Sequence, residues 1–307
     1  MPPTHRSPVS TDKKLKNSFD TLYKTYTKPE FLDSDPLFLC YLYESAEDRE
    51  FVGLLSALFA YGNVTAIRGF LSRLLEPMGK RPKEYLLKHG TKIWTSKLGP
   101  YRFQKEKDIL LFLQGLRLSY LELEKSGESF LESWFSPLDK NEFGLEKRIS
   151  GFQSRFSEVL GSLDPSWKSY GLGFLIGIGN PKSAHKRYCM FLRWMVRKEG
   201  PDLGLYKSIH SSELLFPLDT HINRLSNILG ITERRTSDFK KSREVTDYFQ
   251  KFYPEDPLRM DFALCRLGIL RKCKSAYVKE LCESCDLKDV CKIYGSKRRK
   301  VGTATEN

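Results

Sequence analysis

Asp219 stands between an apolar approach, Phe216-Pro217-Leu218, and a short run in which Ile222, Leu225, Ile228 and Leu229 share one face at helical spacing. The pattern predicts a helix that starts at Asp219 or Thr220 and stops at Gly230, a glycine in the usual position after a helix end. A carboxylate placed there is held by backbone N–H groups, partly shielded from water and kept ionised by the positive helix end. The plain reading is a helix cap. A second group of residue types suited to chemistry is Cys273, Cys282, Cys285 and Cys291, spaced by eight, two and five residues. Four thiolates at such spacing can wrap one small centre, and soft sulfur donors select either zinc or an iron–sulfur cluster. Spacing alone leaves both open.

Two further stretches could meet phosphate. In Gly177-Ile178-Gly179 two glycines around one apolar residue allow a tight turn whose N–H groups face outward, and the helix that follows adds its positive end. The basic run Lys182, His185, Lys186 and Arg187 follows directly, and its plain reading is a phosphate-facing helix end. Gly62-Asn63 interrupts two helical patterns, which ordinary turn chemistry explains. His185 and His221 are read as hydrogen-bonding or phosphate-contacting residues, because no carboxylate–histidine cluster accompanies them.

The composition limits what surrounds these groups. A chain of 307 residues, 40% apolar and 13% aromatic, can bury a substantial core in one large or two medium domains. Fifty-one basic residues against thirty-eight acidic ones give a net charge of +13, which favours a polyanionic partner, nucleic acid first. Met1 to Ser10 has no apolar core of a signal peptide and no run approaches a membrane span, so we expect an intracellular protein without membrane contact. Seven cysteines suit a disulfide framework poorly; Cys40 and Cys189, alone among apolar residues, read as core fillers, and so does Cys265.

Helical periodicity runs throughout, and sustained strand alternation does not occur. Leu15 to Tyr26, Phe51 to Phe59 and Ile67 to Leu75 each carry one apolar face. Pro82 opens a short helix, and Lys105 to Leu123, Glu142 to Leu160 and Ser183 to Arg197 read as longer ones. Residues 1–10 and the basic tail 296–307, with Lys297-Arg298-Arg299-Lys300, read as disordered.

Leu218-Asp219-Thr220-His221-Ile222 followed by Arg224 resembles the V-D-T-H-[VI]-x-R segment of the endonuclease III and adenine-glycosylase group of helix-hairpin-helix DNA glycosylases. Leu175 to Ala184 is similar to that family's L-P-G-[VI]-G-x-[KQ]-[TS]-A hairpin, with Ile176 in place of Pro and Pro181 inserted before Lys182. The cysteine spacing resembles its C-x6-C-x2-C-x5-C loop, two residues longer in the first gap. The segment Met190 to Arg197, with Leu203-Gly204-Leu205 and Pro217 to His221, resembles an uncharacterised bacterial family distantly related to these glycosylases.

The resemblance implies an all-α, two-domain fold. Residues 47–198 would form a six-helix domain ending in the hairpin, and residues 11–46 with 199–295 a second helical domain carrying the cysteine loop. It implies a monomeric, cytoplasmic, nucleoid-associated protein that turns a damaged base out of double-stranded DNA and excises it, with AP lyase activity. In the resemblance Asp219 is catalytic and a lysine attacks the sugar. Apolar residues four to six positions beyond the nucleophile are expected, and Met190, Phe191 and Leu192 satisfy this for Lys186, whereas Lys182 would be followed by Lys186, Arg187 and Tyr188. Lys186 is therefore the preferred nucleophile, with Lys182 the alternative, at a lysine-to-aspartate separation that looks like the archaeal 8-oxoguanine glycosylases. Gly177, Gly179, Asn63, Arg187, His221 and Arg224 are expected at the DNA. Cys273, Cys282, Cys285 and Cys291 would hold a [4Fe–4S] cluster, or zinc as the alternative, setting Lys272 and Lys274 toward phosphates. The competing expectation is a non-catalytic DNA- or RNA-binding protein that keeps this fold and its cluster.

Overall fold

The structure is a computed structural model that describes residues 8–94, 98–180, 182–270, 273–274 and 276–303. Among the described residues thirteen α-helices follow one another: α1 (Pro8–Tyr26), α2 (Ala46–Leu58), α3 (Val64–Leu75), α4 (Pro82–His89), α5 (Glu106–Lys125), α6 (Leu145–Leu163), α7 (Tyr170–Ile176), α8 (Lys186–Val196), α9 (Thr220–Ile228), α10 (Phe239–Gln250), α11 (Asp261–Leu270), α12 (Lys279–Glu283) and α13 (Lys292–Thr303). No strand occurs among the described residues, so the expected all-α class holds. Among the described residues no helix is long and apolar enough to cross a membrane.

Polar side chains start several of these helices by accepting the N–H groups that a first turn leaves over. Ser45 caps α2, Asn63 caps α3, Ser169 caps α7 and Asp238 caps α10. The apolar faces then decide the packing. α2 is buried on every side from Phe51 to Leu58 and lies against α8, whose Phe191, Leu192, Trp194 and Met195 are fully buried. Gly53 permits that approach: a Cβ there would stand 2.8 Å from the Met195 methyl. α5 packs on α6, α9 on α11, and α1 on α11, in a continuous apolar core from Phe19 to Leu287. Cys40 and Cys189 lie fully buried in it, as their isolation among apolar residues suggested.

Buried charge ties the far ends of the chain together. Arg193 on α8 and Arg197 just past its end meet Asp202, Asp256 and Asp261, and Arg266 on α11 meets Asp35 at 2.9 Å. Each of these guanidiniums is 3% exposed or less, so the pairs are held in a medium where loss of one partner is costly.

Two expected boundaries need correction. The helix read as Ser183 to Arg197 begins at Lys186, because His185 takes a left-handed conformation with φ 46° and the Ser183 hydroxyl accepts its N–H. Helix runs over residues 8–10 in α1 and 296–303 in α13, within the ends read as disordered. Residues 1–7 and 304–307, with Pro181 and Lys272, lie outside the described residues.

Candidate active site

Asp219 caps α9 as its sequence context demanded: its Oδ1 accepts the Ile222 N–H at 2.6 Å, and Phe216 and Leu218 before it are buried. The cap leaves Oδ2 directed elsewhere. That oxygen accepts from the thiol of Cys265 on α11, at 3.0 Å. The expectation that Cys265 only fills core is therefore corrected, since its thiol meets the carboxylate beside an open cleft.

The cleft has a volume of about 570 Å³. One wall is the loop after α2, with Tyr61 and Gly62; the hairpin side contributes Gly177, His185, Lys186 and Arg187. Asp219, Thr220 and His221 enter from α9, and Asp261, Cys265 and Ile269, spaced four apart on α11, form the opposite face. Lys186 and Asp219, thirty-three positions apart in the sequence, thus line one space. Among the described residues no ion pair joins them or engages either one.

The hairpin that delivers Lys186 is built by a standard helix stop. Gly177, left-handed at φ 77°, donates its N–H to the Gly173 and Phe174 carbonyls, and the Ile178 N–H bonds Gly173 as well. Gly179 is again left-handed, at φ 91°, with nothing within 4 Å of where a Cβ would stand. The chain then runs to His185, and Lys186 becomes the first residue of α8, at its positive end. Lys182, the alternative nucleophile, is exposed and does not line the cleft.

Burial and ion pairing act on several ionisable groups around Lys186. Burial and the nearby Arg187 push the His185 imidazole below its usual range. Burial does the same for His221, helped by Arg224, Arg266 and Lys186 and opposed by Asp219. Arg266 is engaged by Asp35 and Arg193 by Asp261, whose carboxyl burial pushes up to about 6 although Arg193 pulls it down. Arg187, expected at the DNA, spends its guanidinium inside the protein: it donates to the Leu58 carbonyl at 2.7 Å and to the Phe174 carbonyl, and lies over the Tyr61 and Phe174 rings.

Other expected residues fall elsewhere. Asn63 is exposed and caps α3 through the Ala66 N–H at 2.7 Å; its neighbours Gly62 and Val64 line the cleft and it does not. Arg224 does not line the cleft; it lines a separate pocket with Asn227, Arg235 and Lys292. Cys273, Cys282, Cys285 and Cys291 line one apolar cavity with Leu225, Ile228 and Leu267. Among the described residues, however, no three His, Cys, Asp or Glu side chains converge closely enough to hold a metal ion.

An acid and an unpaired lysine, carried on separate helix starts and converging on one cleft, define a candidate active site. The chain belongs to the family described as "Protein of unknown function (DUF2400)", whose model matches residues 35–270. That span holds every residue lining the cleft and ends before the four C-terminal cysteines. No curated protein and no solved structure matches the chain.

Proposed function

We propose that this protein is a DNA glycosylase with AP lyase activity, built on the two-domain helix-hairpin-helix plan that its motifs resemble. The observation that carries the proposal is the shared cleft of Lys186 and Asp219. The net charge of +13 suits a duplex DNA partner. A base cannot be removed while stacked, so the nucleotide would be turned out into the cleft. Asp219 would stabilise positive charge growing on the sugar and take the proton that Lys186 must lose. The Lys186 amine would then bond C1′ as the bond to the base breaks and the base leaves with its electron pair, collecting a proton. The C1′–O4′ bond would then open, O4′ leaving with the electron pair and taking a proton, to give the Schiff base; loss of a C2′ proton from it expels the 3′ phosphate by β-elimination, which cuts the strand on the 3′ side. Without a placed lysine, Asp219 would activate water and the enzyme would only release the base.

The four C-terminal cysteines offer an all-thiolate donor set around one cavity, which fits a [4Fe–4S] cluster or zinc in donor chemistry. Such a centre would supply a structural cross-link between α11 and α13, holding Lys274 near the phosphates, and takes no part in the steps above.

Incubating the anaerobically purified protein with duplexes carrying an abasic site, 8-oxoguanine, thymine glycol or uracil, with borohydride present, tests this reading. We expect a trapped covalent adduct that disappears in Lys186→Ala. Salt-sensitive binding with neither adduct nor base release on any duplex would replace the enzyme by a non-catalytic nucleic-acid-binding protein, with Asp219 a helix cap.

A further inference from the structure

We propose that Cys265 is the positioning residue of Asp219: its thiol holds the carboxylate oxygen left free by the helix cap and so fixes the direction in which Asp219 faces the cleft. This rests on the proposed function above for its catalytic meaning, but the contact itself stands on geometry. Oδ1 is tied to the Ile222 N–H at 2.6 Å and Oδ2 to the Cys265 Sγ at 3.0 Å, so both oxygens are fixed, one by backbone and one by side chain. A carboxylate held at both oxygens has lost its side-chain rotation before any ligand arrives, which is the preorganisation a stabiliser of developing charge needs.

The type of donor matters as much as its place. An arginine or lysine at the same distance would neutralise the carboxylate, whereas a thiol steadies it and leaves its charge. Arg266, the next residue, pairs with the Asp35 carboxylate at 2.9 Å and donates to the Phe31 carbonyl, and its Nη2 also reaches the Cys265 Sγ at 3.7 Å. One turn further along α11, Gly268 allows His221 to pack against the helix, since a Cβ there would stand 2.7 Å from its Nδ1. α11 thus presents a thiol to Asp219 and a bare backbone to His221, and both serve the start of α9. Burial and the negative charge of Asp219 raise the Cys265 ionisation well above the ordinary thiol range, with Asp261 adding to this and Arg266 opposing it. The other charged or titratable groups facing this pair are Lys186 on α8 and His221 on α9. The thiol therefore stays a proton donor near neutral pH.

Two measurements test the assignment. In the first, site-resolved mass spectrometry follows iodoacetamide alkylation of Cys265 against pH in the native chain and in Asp219→Asn. Removing the charge is expected to shift the Cys265 curve to lower pH, with alkylation at pH 8 faster by about tenfold, the equivalent of one pKa unit. An unchanged curve overturns the proposal whatever the enzyme does. In the second, single-turnover rates and dissociation constants are measured on an abasic duplex. Cys265→Ala is expected to slow the reaction by about tenfold or more with unchanged affinity, and Cys265→Ser to restore most of the rate because its hydroxyl can still donate. A Cys265→Ala rate equal to the native one reduces Cys265 to packing and overturns the positioning role. If the native protein turns over no duplex, the proposed function fails separately, and the alkylation shift alone decides whether the thiol holds Asp219.

Discussion

Arg193 on α8 and Asp261 at the start of α11 form an ion pair of 2.5 Å, Nη1 to Oδ2, with both side chains 3% exposed, at the edge of the cleft that Lys186 and Asp219 line. The same guanidinium reaches Asp202 at 3.2 Å. Arg193→Met would leave two buried carboxylates without their common partner. We expect a loss of about 3–5 kcal/mol in urea unfolding. Both carboxyls already ionise above their ordinary range because of burial, and losing Arg193 raises them further. Acids raised in the folded state lower stability as pH rises through their folded values, so the deficit should be larger at pH 8 than at pH 6.

Lys186 and Lys182 separate on position. Lys186 opens α8 within the cleft and Lys182 is exposed outside it. Lys186→Ala should abolish the borohydride adduct. Lys182→Ala should keep it and weaken duplex binding by a factor that shrinks as salt is raised, since only a phosphate contact is lost. Asp219→Asn should slow base release by about a hundredfold or more while binding persists.

Glu50 lies fully buried on α2, accepting from Tyr206 at 2.6 Å, from the Leu131 N–H at 2.7 Å and from Tyr120 at 3.0 Å. Burial outweighs these bonds and pushes its carboxyl up to about 7. Between the ordinary glutamate range and pH 7 the folded state holds more protons than the unfolded chain, so stability falls as pH rises through that window. Glu50→Gln keeps the shape and removes the titration. Its thermal midpoint should gain on the native protein from pH 5 to pH 8, by the equivalent of about 3 kcal/mol at most.

The cysteine cavity is tested by elemental analysis of the anaerobically purified protein. Equal iron and acid-labile sulfide identify a cluster, and zinc alone identifies the alternative. Cys282→Ser should lose the metal, lower the thermal midpoint and weaken DNA binding, because the centre would cross-link the C-terminal segment. Retained metal in Cys282→Ser would remove that residue from the ligand set.

Gly171, in the first turn of α7, admits no side chain. A Cβ there would stand 2.4 Å from the Phe103 carbonyl oxygen and 2.7 Å from Asp108 Oδ2. Gly171→Ala should cost about 1–3 kcal/mol and loosen the helix that leads into the hairpin, as a lower urea midpoint would report.

Local features of this chain were legible in its sequence. The approach to Asp219, its cap and the glycine after α9 are all decided within the fifteen residues from Phe216 to Gly230, and the structure holds them as read. Lys186 could be preferred over Lys182 because the apolar face of α8 is written at helical spacing behind it. Cys265 could not be read, because its partner sits forty-six positions away on another helix and no local pattern marks the contact. The same holds for Arg193 and Arg197: on an apolar helix they look like interruptions until Asp202, Asp256 and Asp261 come into place. The late start of α8 was hidden too, since nothing in the residue type of His185 dictates a left-handed turn.

One further consequence concerns Arg187. Its guanidinium bridges the last carbonyls of α2 and α7 from the wall of the cleft. Two helix ends share a single cap, so neither can fray without releasing the other. Amide exchange at the ends of α2 and α7 should therefore rise and fall together, and any ligand that wedges the two apart must work against both helices at once.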